Sequence, residues 1–354
     1  MSEHVATGSP AQDDTVEIEP VGGDRRPAGL RTRLAAGPRG AARALRGPAP
    51  WRRGLVLAAL ALLLGLLMML HARIPNRAGN AGSLVETFLP WFGAFVVPLL
   101  AGALWRRSAT AVVALVLPVT VWLSLFGGLL ADKSRPGSDL TVAGHNVGAA
   151  NPDPAGTARE LAASGADVLA LQEVPPAARP VYEAELAKTY PYRTVRGTVG
   201  LWSRLPLSDT RTVDIAMYPS RALRTTVATG RGPLAVYVAH LGSVRVNPRA
   251  GLSTGQRDAG ARALAGAVAA EPAERVVVLG DLNGTMDDRA FDGLAGQLRS
   301  VQEAAGNGFG FTWPAGFPVA RIDQILVRGV EPRSARVLPA TDSDHLPVAA
   351  GISW

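Results

Sequence analysis

Three uncharged apolar runs dominate the first third of the chain, at 54–70, 88–105 and 109–131. The first, GLVLAALALLLGLLMML, is 17 residues long and follows Trp51 and a cluster of arginines. That length is near the lower limit for a bilayer-spanning helix, and the flanking residues suit an interfacial anchor. Pro98 and Pro118 fall inside the other two runs, where spanning helices tolerate them better than soluble ones do. The pattern predicts three transmembrane helices over 51–132. From Asp139 the texture changes. Short apolar runs predict strands at 140–146, 167–174, 198–203, 223–228, 234–240, 275–282, 322–327 and 348–353. Alanine-rich amphipathic stretches predict helices at 155–164, 177–188 and 254–270. Such alternation argues an α/β domain over 136–354, with polar groups gathered at strand ends and in the loops that follow.

Residues 1–50 are rich in Gly, Pro, Ala, Asp and Arg without apolar period, which predicts a disordered tail. The charge refines this division. The net charge is +7, yet residues 139–354 hold 21 cationic and 21 anionic side chains, so the whole excess lies in 1–138. Nine arginines (25, 26, 31, 33, 39, 43, 46, 52 and 53) precede the first apolar run, and Arg106 and Arg107 lie between the second and third. Only Arg73 and Arg77 lie between the first and second. The positive-inside rule then puts the N-terminus in the cytoplasm. Three crossings of the cell membrane leave the domain beyond residue 132 extracytoplasmic. A cleaved signal peptide is the competing reading of the first run; the long tail, the lack of a small-residue cleavage site and the two later runs argue against it. The neutral C-terminal part gives no support to tight polyanion binding. The absence of cysteine excludes a disulfide framework, a thiolate metal site and a cysteine nucleophile.

Six segments end apolar runs with acid, amide or imidazole groups: Gly144-His145-Asn146, Leu171-Gln172-Glu173-Val174, Ala239-His240-Leu241, Gly280-Asp281-Leu282-Asn283, Arg321-Ile322-Asp323 and Ser343-Asp344-His345-Leu346-Pro347. Oxygen ligands without thiolate suit Mg²⁺ or Mn²⁺, and a histidine beside a carboxylate is the usual device for activating water. Taken singly, each has an ordinary reading. Glu173 is a solvated strand-end acid, Asp323 an ion-pair partner of Arg321, His240 a structural histidine, Asn146 and Asn283 turn residues, and Asp344 beside Asp342 an acidic turn.

In this order and spacing, GDLN, RID and SDHLP with an upstream QE resemble the endonuclease/exonuclease/phosphatase superfamily, which includes DNase I-like nucleases, sphingomyelinases and inositol-phosphate phosphatases. The resemblance covers about 139–354. It implies a four-layer α/β sandwich, two mixed β-sheets flanked by helices, with the site at one edge. It implies Glu173 as principal metal ligand, Asn146 as a supporting metal or phosphate contact and Asp344 as a second metal contact. Asp281 and Asn283 would position the attacking water and hold a phosphate oxygen. Asp323 would buttress His345, which would contact phosphate or water, and His240 would stand near the leaving group. Arg224 in RALRTTV resembles an arginine near the phosphate in some members; an outward strand arginine is the equal alternative. Leu201-Trp202-Ser203-Arg204 with Pro206 resembles a structural segment, and Phe311-Thr312-Trp313-Pro314 one that shapes a pocket wall. The arginines at 245, 249 and 257 form either a solvated face or a substrate lip.

Three spans ahead of such a domain look like the VanJ-type membrane proteins of actinobacteria. That likeness implies a lipid-linked, polyprenyl phosphate or pyrophosphate substrate at the outer face of the bilayer. The alternatives are a tethered nuclease acting on DNA or RNA, and an inactive binding module. The last would be expected to have lost Glu173, Asp281, Asp323 or His345, and all four are present.

Overall fold

Alternating side chains on the central strands are apolar on both faces, and this sets the layering. In the computed structural model, which describes residues 49–76, 79–247 and 251–354, Val277 and Leu279 point into one buried cluster while Val276 and Val278 point into another. A strand with two apolar faces must be covered on both, so it reads as a continuous run rather than an alternation.

Among the described residues, fourteen strands form two six-stranded mixed sheets and a hairpin. The first sheet runs β13-β14-β1-β2-β4-β3, from Glu331–Val337, Val348–Ser353, Leu140–Asn146, Val168–Gln172, Val199–Ser203 and Tyr192–Arg196. The second runs β11-β12-β10-β7-β6-β5, from Arg299–Ser300, Asp323–Arg328, Val276–Asp281, Gly232–His240, Ala222–Thr229 and Leu207–Thr212. The short strands β8 (Arg245–Asn247) and β9 (Gly251–Ser253) pair only with each other. The sheets face one another across Val142, Val168, Leu201, Leu223, Val236, Val238, Leu279 and Ile325. Helices Pro154–Ala163 and Arg179–Leu186 cover the outer face of the first sheet through Leu161, Tyr182 and Leu186. Helix Gly255–Ala269 covers the second through Leu264 and Val268. The result is the α/β sandwich of two mixed sheets flanked by helices.

All eight strands expected from apolar runs are present, within about two residues at each end. The unexpected ones are β3, β5, β11, β13 and the β8–β9 hairpin. In both sheets the unexpected strands are the edges. Edge strands carry polar, exposed side chains (Tyr-Arg-Thr-Val-Arg in β3, Leu-Ser-Asp-Thr-Arg-Thr in β5), so no apolar period marks them.

Among the described residues of the N-terminal part, one helical stretch, Ala109–Leu129, is long and apolar enough to cross a membrane. It is interrupted near Leu115, four residues after which Val119 follows Pro118, whose missing N–H leaves the Ala114 carbonyl without its helical donor. A second stretch is a pair, Ala81–Thr87 and Leu89–Trp105, bent by 70°. The helix Leu55–Met69 has 15 residues. At 1.5 Å per residue that is about 22 Å, short of the roughly 30 Å of a hydrocarbon core. Small residues let these helices approach closely: Ala58, Ala61, Ala103 and Ala111 share one buried cluster. The expected tail at 1–50 lies outside the described residues apart from its last two. Residues 49–354 form a single compact unit, so the apolar helices and the sandwich pack against each other.

Candidate active site

The register of the two parallel strand pairs gathers the chemistry at one end of the sandwich. In the second sheet, Asp281 at the end of β10 lies opposite His240 at the end of β7 on one side and Asp323 at the start of β12 on the other. In the first sheet, Asn146 at the end of β1 lies opposite Gln172, the residue before Glu173. Gly280 is required for the closeness of β10 and β7, since a Cβ there would stand 1.9 Å from the Ala239 carbonyl oxygen. Two site residues hold left-handed backbone, Glu173 at φ 58° and Asn283 at φ 51°. Such conformations cost energy for a non-glycine residue and concentrate at functional positions.

Asp281 is the hub. Its Oδ2 accepts from Asn146 Nδ2 at 2.9 Å and from Asn283 Nδ2 at 3.3 Å, and its Oδ1 accepts from the Asn283 backbone N–H at 2.9 Å. His240 Nε2 stands 3.6 Å and His345 Nε2 3.8 Å from the same Oδ2. His240 Nε2 is also 3.5 Å from Glu173 Oε1, while Glu173 Oε2 accepts the Ala149 N–H at 2.9 Å. His345 Nδ1 donates to Asp323 Oδ2 at 2.9 Å, and Asp323 is braced in turn by its own N–H on Thr312 Oγ1 at 3.3 Å. Asn146, Glu173, His240, Asp281, Asn283, Asp323 and His345, seven residues from six separate segments, thus form one connected cluster.

The electrostatics divide the two histidines. Burial drives the His240 pKa down, with Arg221 and His345 adding to the fall against Asp281 and Glu173, so this imidazole is neutral at physiological pH. Burial also lowers His345, but the Asp323 hydrogen bond and charge, with Asp281 and Asp344, outweigh it and push the ring up to about 9. Burial and the nearby Asp323 carboxylate push Asp281 up. Groups whose surroundings drive their pKa values apart are the mark of acid and base assignments. His145, by contrast, is driven down to about 3 by burial and is held by Thr341 Oγ1 at 2.8 Å, in a structural role.

A prediction follows for the metal-free protein. A histidine whose folded pKa lies above its ordinary value of 6.5 stabilises the fold fully below 6.5, and that contribution fades as pH rises through about 9. Thermal unfolding in EDTA is therefore expected to show His345→Ala as destabilising at pH 6 and as far less so at pH 10. An equal difference at both values would contradict the Asp323–His345 pairing.

The donor set suits a hard divalent cation, with carboxylate and amide oxygens and no thiolate. Asp281, Asp323 and His345 bring three potential ligand atoms within 4.8 Å of one another, a group able to hold a metal. Asp323 Oδ1 and both ring nitrogens of His240 are buried without a hydrogen-bond partner among the described residues. Buried polar atoms left this way call for a ligand, an ion or water.

Two expectations change. Arg224 is not at the site: its guanidinium is buried in a two-pronged pair with Glu271 at 2.9 Å and 2.9 Å, and Glu271 also accepts the Tyr237 hydroxyl at 2.8 Å. The arginine that reaches the cluster is Arg221, whose backbone carbonyl accepts the His240 N–H at 2.8 Å and whose charge acts on that ring. Both arginines stand in the same RALR segment, and only the register distinguishes them. Arg224→Ala is expected to cost about 1.5–3 kcal/mol of stability, since Glu271 keeps the longer Arg211 contact at 3.4 Å and the Tyr237 hydroxyl, with the turnover of the folded protein unchanged. Unfolding curves read beside kcat would check both halves. Likewise Arg257 is no substrate lip; it is buried against Asp258 and Asp288, each at 2.7 Å. Position 249 lies outside the described residues. Asp344 is exposed at the rim, where its Oδ2 accepts Trp313 Nε1 at 3.3 Å.

The comparisons with known proteins agree with this geometry. A family model described as the endonuclease/exonuclease/phosphatase family matches residues 143–345. No curated protein matches the chain in sequence. Among solved structures, humanized D. rerio TDP2 superposes with TM-score 0.52 at 20% identity, over 61% of this chain and 99% of that one. A functionally unknown conserved protein from Enterococcus faecalis V583 superposes with TM-score 0.51 at 16% identity, over 60% and 99%. An endonuclease/exonuclease/phosphatase family protein from Bacteroides thetaiotaomicron gives 0.50 at 16%, over 62% and 99%. At these identities the likeness is one of fold.

Proposed function

Because the chain belongs to the endonuclease/exonuclease/phosphatase family, we propose that it is a membrane-anchored, divalent-metal-dependent phosphoesterase that hydrolyses a lipid-linked phosphoester or pyrophosphate outside the cytoplasm. The observation that carries the reading is the convergence of Asn146, His240, Asn283 and His345 on one buried carboxylate, Asp281, with Glu173 joined to it through His240.

In this proposal Glu173 and Asn146 would hold Mg²⁺ or Mn²⁺, with Asp344 as a further contact at the rim. The Asp281, Asp323 and His345 group is the geometric competitor for the ion. The proton that His345 carries when bonded to Asp323 disfavours a cation there, so we assign this pair to proton handling. The bound ion would supply charge stabilisation at the phosphate oxygens. Asp281 and Asn283 orient the attacking water, and Asp281 is placed to take its proton. His345, fixed in tautomer by Asp323, donates to a non-bridging phosphate oxygen and stabilises the charge that builds there. His240 and Arg221 face the leaving-group side.

The substrate class rests on where the anchor sits. The apolar helices pack directly on the segment that walls the site, through Trp91 on Phe311 at 5.7 Å and Trp122 on Phe309 at 6.2 Å between ring centroids. A substrate confined to the bilayer would meet a site held within its reach. A tethered nuclease is the second reading, favoured by His240 and Arg221 together at the cluster. To decide between them, the full-length protein in detergent with Mg²⁺ or Mn²⁺ would be offered a polyprenyl pyrophosphate, plasmid DNA and single-stranded RNA in parallel. Phosphate release from the lipid with intact nucleic acid is the expected result. Nicked DNA with untouched lipid would replace the proposal with the nuclease.

A further inference from the structure

We propose that the short helix Ala81–Thr87, Trp91 and the turn 313–319 form one continuous surface that rests in the headgroup boundary of the bilayer, so that the catalytic sandwich is docked on the membrane rather than hung from it. This rests on the membrane-embedded reading of 55–129 and adds to it a contact made by the catalytic domain itself.

Ala81–Thr87 has two faces. Gly82, Ser83 and Glu86 are buried toward the sandwich. Glu86 is clamped by Arg289, with Nη2 at 2.6 Å and Nε at 2.9 Å, and Ser83 Oγ meets Arg257 Nη2 at 3.4 Å. Gly82 permits that approach, since a Cβ would come within 2.6 Å of Arg289 Nη2. The opposite face leaves Leu84 and, one residue past the helix, Phe88 exposed. The 70° bend then carries the chain from this helix into the apolar stretch 89–105. A two-faced segment lying across the start of an apolar helix is the geometry of an interfacial helix.

The sandwich supplies the rest of the surface. Residues 309–320 (FGFTWPAGFPVA) contain no charged side chain. Their base is stapled to the anchor: Trp91 Nε1 donates to the Val319 carbonyl at 2.8 Å, Trp91 stacks on Phe311 and Trp122 lies against Phe309. Phe317 is 71% exposed, and Trp313 and Trp91 are exposed as well. Phe317 lies two residues from Val319, within about 7 Å of the staple along the chain. Indole and phenyl rings at this level are what the membrane–water boundary favours. The same turn is tied to the site, through Trp313 Nε1 on Asp344 and the Ala315 N–H on the Asp344 carbonyl at 2.7 Å. Contact with the bilayer would therefore hold the site mouth at the depth of the headgroups.

The absence of cysteine makes the test clean. Phe317→Cys, Leu63→Cys and Tyr192→Cys would each be made in the full chain, labelled with an environment-sensitive fluorophore and reconstituted in phosphatidylcholine/phosphatidylglycerol vesicles. Quenching by nitroxide-labelled lipid is then read. Leu63 is exposed on the helix Leu55–Met69 and Tyr192 on the edge strand β3. The expected result is strong quenching at 63 and, with a headgroup-level nitroxide, at 317, several-fold above that at 192. Quenching at 63 with 317 no different from 192 overturns the docking surface while leaving the anchor intact. No quenching at 63 overturns the membrane reading and the surface with it. Phosphoester turnover is not part of the readout, so failure of the catalytic reading remains distinguishable.

Discussion

Asp281→Asn is expected to lower hydrolysis by about 10²–10⁴-fold, the usual contribution of a positioned acid–base group, with little net change in stability. The two halves come from one feature. Asp281 accepts from Asn146 and Asn283 and faces both histidines, so removing its charge removes the group that orients and deprotonates water. Its pKa is nonetheless raised, first by burial and then by Asp323. A carboxylate with a folded pKa above its ordinary value costs the fold stability as pH rises past that value, so at neutral pH the charge is a burden. Asparagine keeps the volume and discards that burden, but its amide NH2 must face a donor that now meets a carboxylate oxygen, so the two effects offset. Thermal unfolding at pH 7.5 in EDTA, read beside turnover, checks both halves. A marked fall in melting temperature, or activity within about threefold of wild type, would contradict the role, given the size of effect expected of such a group.

His345→Ala is expected to reduce kcat by a comparable factor, about 10²–10⁴, with a distinct signature. Because Asp323 fixes the ring through Nδ1 at 2.9 Å, Asp323→Asn should produce a smaller loss in the same direction, by releasing the tautomer and lowering the ring's proton affinity. The double variant should then be scarcely worse than His345→Ala alone, since residues that act as one unit are not additive. Steady-state rates for the two single variants and the double variant give the comparison. Independent, multiplying losses would show that Asp323 acts elsewhere, for instance on a metal.

The site was legible in the sequence because each of its residues stands where an apolar run ends or begins: Asn146, His240 and Asp281 close runs, Glu173 and Asn283 follow within two residues, and Asp323 and His345 stand at or just before the start of others. Central strands such as Val276–Asp281 are apolar on both faces until the loop, so the first polar side chain after the run is also the first at the sheet edge. Pairing was not legible. The run around 222–229 carries Arg221 and Arg224 alike, and only the register, which sets Arg224 opposite Tyr237 and Arg221 beside His240, shows which one reaches the cluster. Edge strands escaped for a related reason: β3 and β5 need no apolar face on their outer side, and their sequences read as loops. The docking of Ala81–Thr87 was hidden too. Glu86 looks like an ordinary loop acid until Arg289, 203 residues away, is seen to clamp it.

The central claim is that this cluster performs metal-dependent phosphoester hydrolysis, and one titration tests it most directly. Full-length protein freed of metal with EDTA would be assayed on bis(p-nitrophenyl) phosphate, a generic diester, as Mg²⁺ or Mn²⁺ is restored, with His345→Ala as the control. The account predicts no turnover without metal, saturable recovery on addition and no recovery in the variant. Hydrolysis that persists in EDTA, or recovery that His345→Ala shares, would contradict it.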